Sequence, residues 1–145
     1  MSDIRISLEK ANTIIAAAFA KGRELGLKPL SCVVTDAGGH VIAFQRQDTT
    51  SFMRLEIALG KAAGALALGV NSRRIGEMAN ERPIFVANLC KVSDKGILPA
   101  AGGVIVKGAD GGPIGAVGVT GDTSDNDEVC AFAGIAAAGL TAHQP

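Results

Sequence analysis

Charged residues are sparse in this chain, and their spacing limits the chemistry they can share. Glu56 and Lys61 sit inside an almost wholly apolar stretch, FMRLEIALGKAAGALALG at 52–69. A charge there is costly unless it is paired or functional. A desolvated Lys61 suits a base or an anion anchor. A buried ion pair or a subunit contact explains it equally well. Arg54 and Lys61, seven residues apart, share a helix face, whereas Glu56 points elsewhere. Asp36 ends a strand before Gly38-Gly39-His40. An imidazole can serve as axial ligand or general base, although a solvated turn residue is the plainer reading of His40. Asp36 can bind a polar ligand group or simply close the turn. Arg46 follows the next strand and can clamp a carboxylate, or form a strand-end ion pair of little worth. Gly102-Gly103 offers backbone N–H groups to an oxyanion, or only a turn. Asp122, Asp125, Asp127 and Glu128 crowd a helix start. Such carboxylates can hold a hard cation, but EF-hand spacing is absent. Capping and favourable charge at a helix N-terminus explain most of them.

The elements that position these groups follow from periodicity. Residues 3–25 predict an amphipathic helix with Ile4, Leu8, Ala11, Ile15, Ala18 and Leu25 on one stripe. Ser2 or Asp3 would cap it and Gly26 would end it. Residues 31–36 and 41–46 predict a hairpin. The helix at 52–69 would start at Thr50 or Ser51 and bury Leu55, Leu59, Ala62, Leu66 and Gly69. So small-sided a helix should be covered on two sides, by its sheet and by another helix or subunit. A short helix over 71–80, capped by Ser72, would turn Ile75, Met78 and Ala79 inward. Residues 84–95 fit a short strand, a helical turn or a mobile loop. A second hairpin pairs 104–106 with 113–120, and its glycines leave bare sheet for close packing. The last helix, 125–141, would bury Val129, Phe132, Ala133, Ala136, Ala137 and Leu140, with the final four residues frayed. Hairpins and separate helix blocks give an α+β fold with an antiparallel sheet.

The 145 residues suit one domain. The only aromatics are five Phe, so the core must be built from small aliphatics. Formal net charge is zero, with no long run of one sign, which argues against nucleic acid. Cys32, Cys90 and Cys130 are odd in number and widely spaced, as expected of buried free thiols in a reducing cytoplasm. No signal-peptide pattern and no bilayer-length apolar run is visible, so a soluble cytoplasmic protein with no membrane partner is expected.

Four blocks carry a family resemblance: VVTDAGGHVIAFQRQD, the helix with Glu56-Ile57-Ala58 and Lys61-Ala62, PAAGGVIVK, and GAVGVTGDTSDNDEVCA. Together they resemble the GlcG/HbpS-like haem-degrading-domain family, which also covers the C-terminal domain of PduO-type proteins. The resemblance implies a profilin- or PAS-like α+β domain, an antiparallel sheet of about five strands flanked by helices. It also implies homodimers or larger homo-oligomers, and in some members a haem or cobalamin connection. Asp127 matches an acidic position of the family motif. The only histidines are His40 and His143, so an iron ligand would be His40 or a hydroxyl such as Thr120. Haem is a candidate cofactor, but the sequence requires none. The first expectation is a small-ligand, tetrapyrrole-type binding protein. The second is an enzyme moving a proton on a small carboxylated or carbonyl metabolite. There Lys61 or Asp127 would be base, Arg46 the clamp and the Gly102-Gly103 amides the oxyanion donors. The third is a structural oligomeric partner without catalysis.

Overall fold

The computed structural model describes residues 4–144. Helix α1 (Leu8–Glu24) leads into strands β1 (Ser31–Asp36) and β2 (Val41–Arg46), then helices α2 (Arg54–Leu68), α3 (Ser72–Glu81) and α4 (Pro83–Val92). Strands β3 (Gly103–Lys107) and β4 (Pro113–Thr120) precede helix α5 (Ser124–Ala137) and strand β5 (Thr141–Ala142). The five strands form one antiparallel sheet in the order β2-β1-β4-β3-β5. This is the expected α+β class.

One sheet face buries Cys32, Val34, Val104, Val106, Val117 and Val119 under α1 and α5. The expected caps Ser2 and Asp3 lie outside the described residues. Ser7 caps α1 instead, its hydroxyl accepting from the Lys10 N–H at 3.1 Å. Ile4, Leu8 and Leu25 are consequently exposed, and Ala11, Ile14, Ile15, Ala18, Phe19 and Gly22 form the buried stripe. In α5 the buried residues are Cys130, Ala131, Gly134 and Ile135 near the middle, with Val129 exposed. The expected stripe was out of phase because every residue from 129 to 138 is apolar or glycine, so hydropathy carries no phase. Contact geometry selects the phase: a Cβ on Gly134 would come 2.5 Å from the Ile14 carbonyl oxygen.

The other face packs against α2 through Val33, Ala58, Ala62 and Ala116. The helix buries its small residues at 58, 60 and 62–65 together with Lys61, while Leu55, Leu59 and Leu66 sit half-buried on its flanks. Close approach decides this. A Cβ on Gly103 or Gly118 would land on the carbonyl oxygen of Lys61 or Ala58. On its outer side α2 meets residues 97–98 through Gly60 and Gly64. Neither Thr50 nor Ser51 caps α2, since the Thr50 hydroxyl donates back to the Gln47 carbonyl at 3.0 Å. Asn71, rather than Ser72, stands at the N-cap of α3. Both side chains cross to β3: Asn71 Oδ1 accepts from Ile105 N–H at 3.0 Å, and Ser72 Oγ from Gly103 N–H at 2.7 Å. Ile75 turns inward as expected, with Met78 and Ala79 packed beside it. The ambiguous 84–95 region is mostly helix, with Pro83 opening α4. Of the four residues expected to fray, Pro145 lies outside the described residues, and the chain before it is tied. His143 N–H donates to the Ile105 carbonyl at 2.8 Å, and Asn71 Nδ2 to the His143 carbonyl at 2.7 Å.

Candidate functional site

Where β4 ends, α2 and α5 deliver opposite charges to one buried point. Lys61 Nζ donates to Asp127 Oδ2 at 3.2 Å and to the Val119 carbonyl at 3.0 Å. Asp127 Oδ1 accepts from the Asp122 N–H at 2.9 Å. The two residues are 2% and 1% exposed. Burial pushes the Lys61 ammonium below its usual pKa, opposed by Asp127 and reinforced by the nearby Arg54 charge. Burial pushes the Asp127 carboxyl up, opposed by Lys61 and by backbone N–H groups. Gly102, at φ +126, lets the backbone pass over the ammonium; a Cβ there would sit 2.9 Å from Nζ. Thr120 is also buried, its hydroxyl accepting from Arg54 Nη1 at 2.8 Å.

Lys61, Asp127, Gly102, Gly103 and Thr120 therefore converge. Their polar groups are largely engaged with one another or with protein: the Gly103 amide is held by Ser72. Glu56 does not join them; it is exposed on α2. Arg46 is exposed on edge strand β2, with Nη1 3.5 Å from the Thr50 carbonyl. The acidic residues after β4 divide between partners. Arg73 bonds Glu128 at 3.1 Å and Asp125 at 2.5 Å. Among the described residues no group of three or more His, Cys, Asp or Glu could hold a metal ion. Arg54, Ser72 and Arg73 complete this region and were not singled out as ligands from sequence. Of these, only Arg54 gave a signal, through its shared face with Lys61.

Asp122 joins Lys28 to the start of α5. It accepts from Asn126 Nδ2 at 2.8 Å, Lys28 N–H at 3.0 Å and Thr123 N–H at 2.8 Å. The Asn126 bond and the two backbone bonds lower its pKa from 3.8 to about 2. A depressed carboxylate adds stability above the unfolded value, and that stability is lost as pH falls through the folded one. Wild type should thus lead Asp122→Asn at pH 5, and the lead should shrink toward pH 2. Acid-unfolding curves followed by circular dichroism check this; a lead that stays constant to pH 2 contradicts it.

Asp36 and His40 meet at the opposite end of β1. His40 Nδ1 lies 3.1 and 3.2 Å from the two Asp36 carboxylate oxygens. Partial burial pushes the Asp36 pKa up, but N–H groups of His40 and Gly38 and the imidazole together hold it below its usual value. With Nδ1 engaged by a carboxylate, Nε2 is left for another partner, the arrangement that orients metal-binding histidines. The ring is 68% exposed. Beside this turn runs a cleft of about 400 Å³, between Ala37-Gly38, the second half of α2 and the segment after α4. Leu66, Leu89, Val92 and Ile97 make it apolar, and Lys95 and Asp94 stand among its lining residues.

The family described as "Haem degrading protein HbpS-like" matches residues 6–136. The chain belongs to the HbpS-like family. An uncharacterized 15.0 kDa protein of the dhaT-dhaS intergenic region of Citrobacter freundii is 31% identical over 126 residues, 87% of each chain. The crystal structure of HbpS superposes with a TM-score of 0.79 at 28% identity, covering 91% of this chain and 89% of that one. The PduOC:heme complex shares the fold, with a TM-score of 0.82 at 22% identity over 97% and 99% of the two chains. In this HbpS-like chain, no helix among the described residues is long and apolar enough to cross a membrane.

Proposed function

We propose that this HbpS-like protein binds a haem-type tetrapyrrole, with His40 as iron ligand. The carrying observation is the exposed imidazole whose Nδ1 is held by Asp36, in a turn whose Ala37 and Gly38 line an apolar cleft. The residues fit the group. A carboxylate-bonded histidine is a basic, oriented ligand. Leu66, Leu89 and Val92 offer apolar wall to a macrocycle, and the Lys95 ammonium suits a propionate. When bound, haem would supply an iron centre. This chain's share is to orient the ligand nitrogen and to shelter one edge of the ring. Thr120 is the weaker candidate ligand, because it is buried and bonded to Arg54.

The cleft is open, so a second copy would cover the ring's outer side, in keeping with a homo-oligomer. The free thiols suit the cytoplasm. Lys61 and Asp127 then act as a tie between α2, β4 and α5 rather than as proton-transfer groups, since both are closed off from solvent. Titration with haem should give a red-shifted Soret band for wild type. His40→Ala should weaken binding at least tenfold, with exogenous imidazole restoring the band. No shift at micromolar protein, or an unchanged His40→Ala variant, would remove this reading.

A further inference from the structure

We propose a second binding site, for a small anion offering carboxylate or phosphate oxygens, at the other end of β1 from His40. The feature is a cavity of about 240 Å³ lined by Lys28, Thr49, Thr50, Ser51 and Arg54, together with Pro29 and Gly121. Two cationic and three hydroxyl residues line it, the Thr50 hydroxyl already donating to the Gln47 carbonyl, and no carboxylate lines it. Arg54 makes no ion pair among the described residues. Its Nη1 donates to the buried Thr120 hydroxyl at 2.8 Å, which fixes the guanidinium on the sheet and leaves its other N–H donors for a ligand. Such a held fork suits bidentate recognition of a carboxylate or phosphate. Lys28 likewise makes no ion pair among the described residues, and its side chain is free to close over the ligand. Arg46 adds a third cation from outside, through its contact with the Thr50 carbonyl.

Of the neighbouring carboxylates, Asp122 feels the Lys28 charge but does not line the cavity. Asp122 is taken by three N–H donors, and Asp127 by Lys61 and the Asp122 amide. Asp48 is exposed and does not line the cavity. The loop is also held in an unusual shape. Thr49, at φ 72, is the one non-glycine in the left-handed region among the described residues, a conformation β-branched side chains resist. Strain of this kind gathers at binding sites. The positive field of Arg54 already lowers the Lys61 pKa, so an anion beside Arg54 would relieve a repulsion present in the empty protein.

Strand β1 separates this cavity from His40 by about 17 Å of extended chain, so the two sites can be tested apart. Amide NMR spectra of the full chain would be followed during titration with sodium malonate and, separately, with inorganic phosphate, each against sodium chloride at equal ionic strength. Saturable shifts confined to residues 28, 49–51, 54 and 121 are expected. Shifts with malonate alone mark a carboxylate site, with phosphate alone a phosphoryl site, and with both an unselective site for either. Arg54→Gln should weaken binding at least tenfold. Lys28→Gln changes an exposed side chain, keeps the fold, and should weaken it several-fold. His40→Ala should leave the titration unchanged, so loss of haem binding would not touch this result. Absence of saturable shifts with either anion, or wild-type affinity in Lys28→Gln, overturns the proposal.

Discussion

Gly118→Ala should remove a large part of the native state's stability. Gly118 lies on β4 beneath α2, and a Cβ there would land on the Ala58 carbonyl oxygen, with Val33 Cγ1 only 3.1 Å away. Both obstacles belong to the core, and the nearer one is backbone. No rotamer change can relieve the clash; α2 must lift from the sheet. Lifting it parts Ala58 and Ala62 from Val33 and Ala116 and draws Lys61 away from Asp127. Overpacking of a well-filled core costs about 1–3 kcal/mol and sometimes more. Rigid backbone on both sides puts this case at the upper end or beyond, against a total stability of about 5–15 kcal/mol for an ordinary domain. Gly26→Ala is the control. Gly26 has φ +67 and nothing within 4 Å of its would-be Cβ, so only backbone strain of about 1–2 kcal/mol applies. Urea unfolding of both variants decides it. A Gly118→Ala midpoint no lower than that of Gly26→Ala would show that α2 does not rest on bare sheet.

Local chemistry made the hairpins legible. Short runs rich in β-branched residues on either side of Ala37-Gly38-Gly39 and of 108–112 specify paired strands whatever lies above them. Helix phase was harder wherever apolarity ran unbroken. In α5 nothing in hydropathy distinguishes Ala131 from Ala133, yet only the former is buried against the core. In α2 the leucines announced a stripe, but glycines and alanines at 58–65 take the core because the sheet below is stripped to Gly103 and Gly118. Strand β5 has two residues, too few for any period to register. The site was half legible for a similar reason. A lysine in an apolar helix states that it needs a partner. Its partner lies 66 positions away, and only the folded sheet brings the two together. Arg73 with Glu128, and Asn71 with β3, are likewise long-range pairs with no local signature.

The Lys61–Asp127 tie carries the other large effect. Lys61→Met shortens the side chain by one atom and keeps much of its volume but strands Asp127, 1% exposed, without its countercharge. Removing one member of a buried pair costs about 3–5 kcal/mol, because the remaining charge stays desolvated. Adding Asp127→Asn to Lys61→Met removes that charge while keeping an oxygen for the Asp122 amide, so the double variant should recover a substantial part of the loss. The pH dependence has a definite sign. In Lys61→Met, burial holds the Asp127 pKa above its usual 3.8, and the opposing lysine is gone. A carboxyl raised on folding contributes stability in full below the unfolded pKa, and that contribution is lost as pH rises through the folded one. The deficit of Lys61→Met relative to wild type should therefore be smaller near pH 4 than near pH 7, while the double variant shows no such trend. Urea midpoints for the three proteins at the two pH values test both parts. A single variant as stable as wild type at neutral pH, or a deficit that grows toward acid, would mean that the pair does not hold α2 to α5 through its charges.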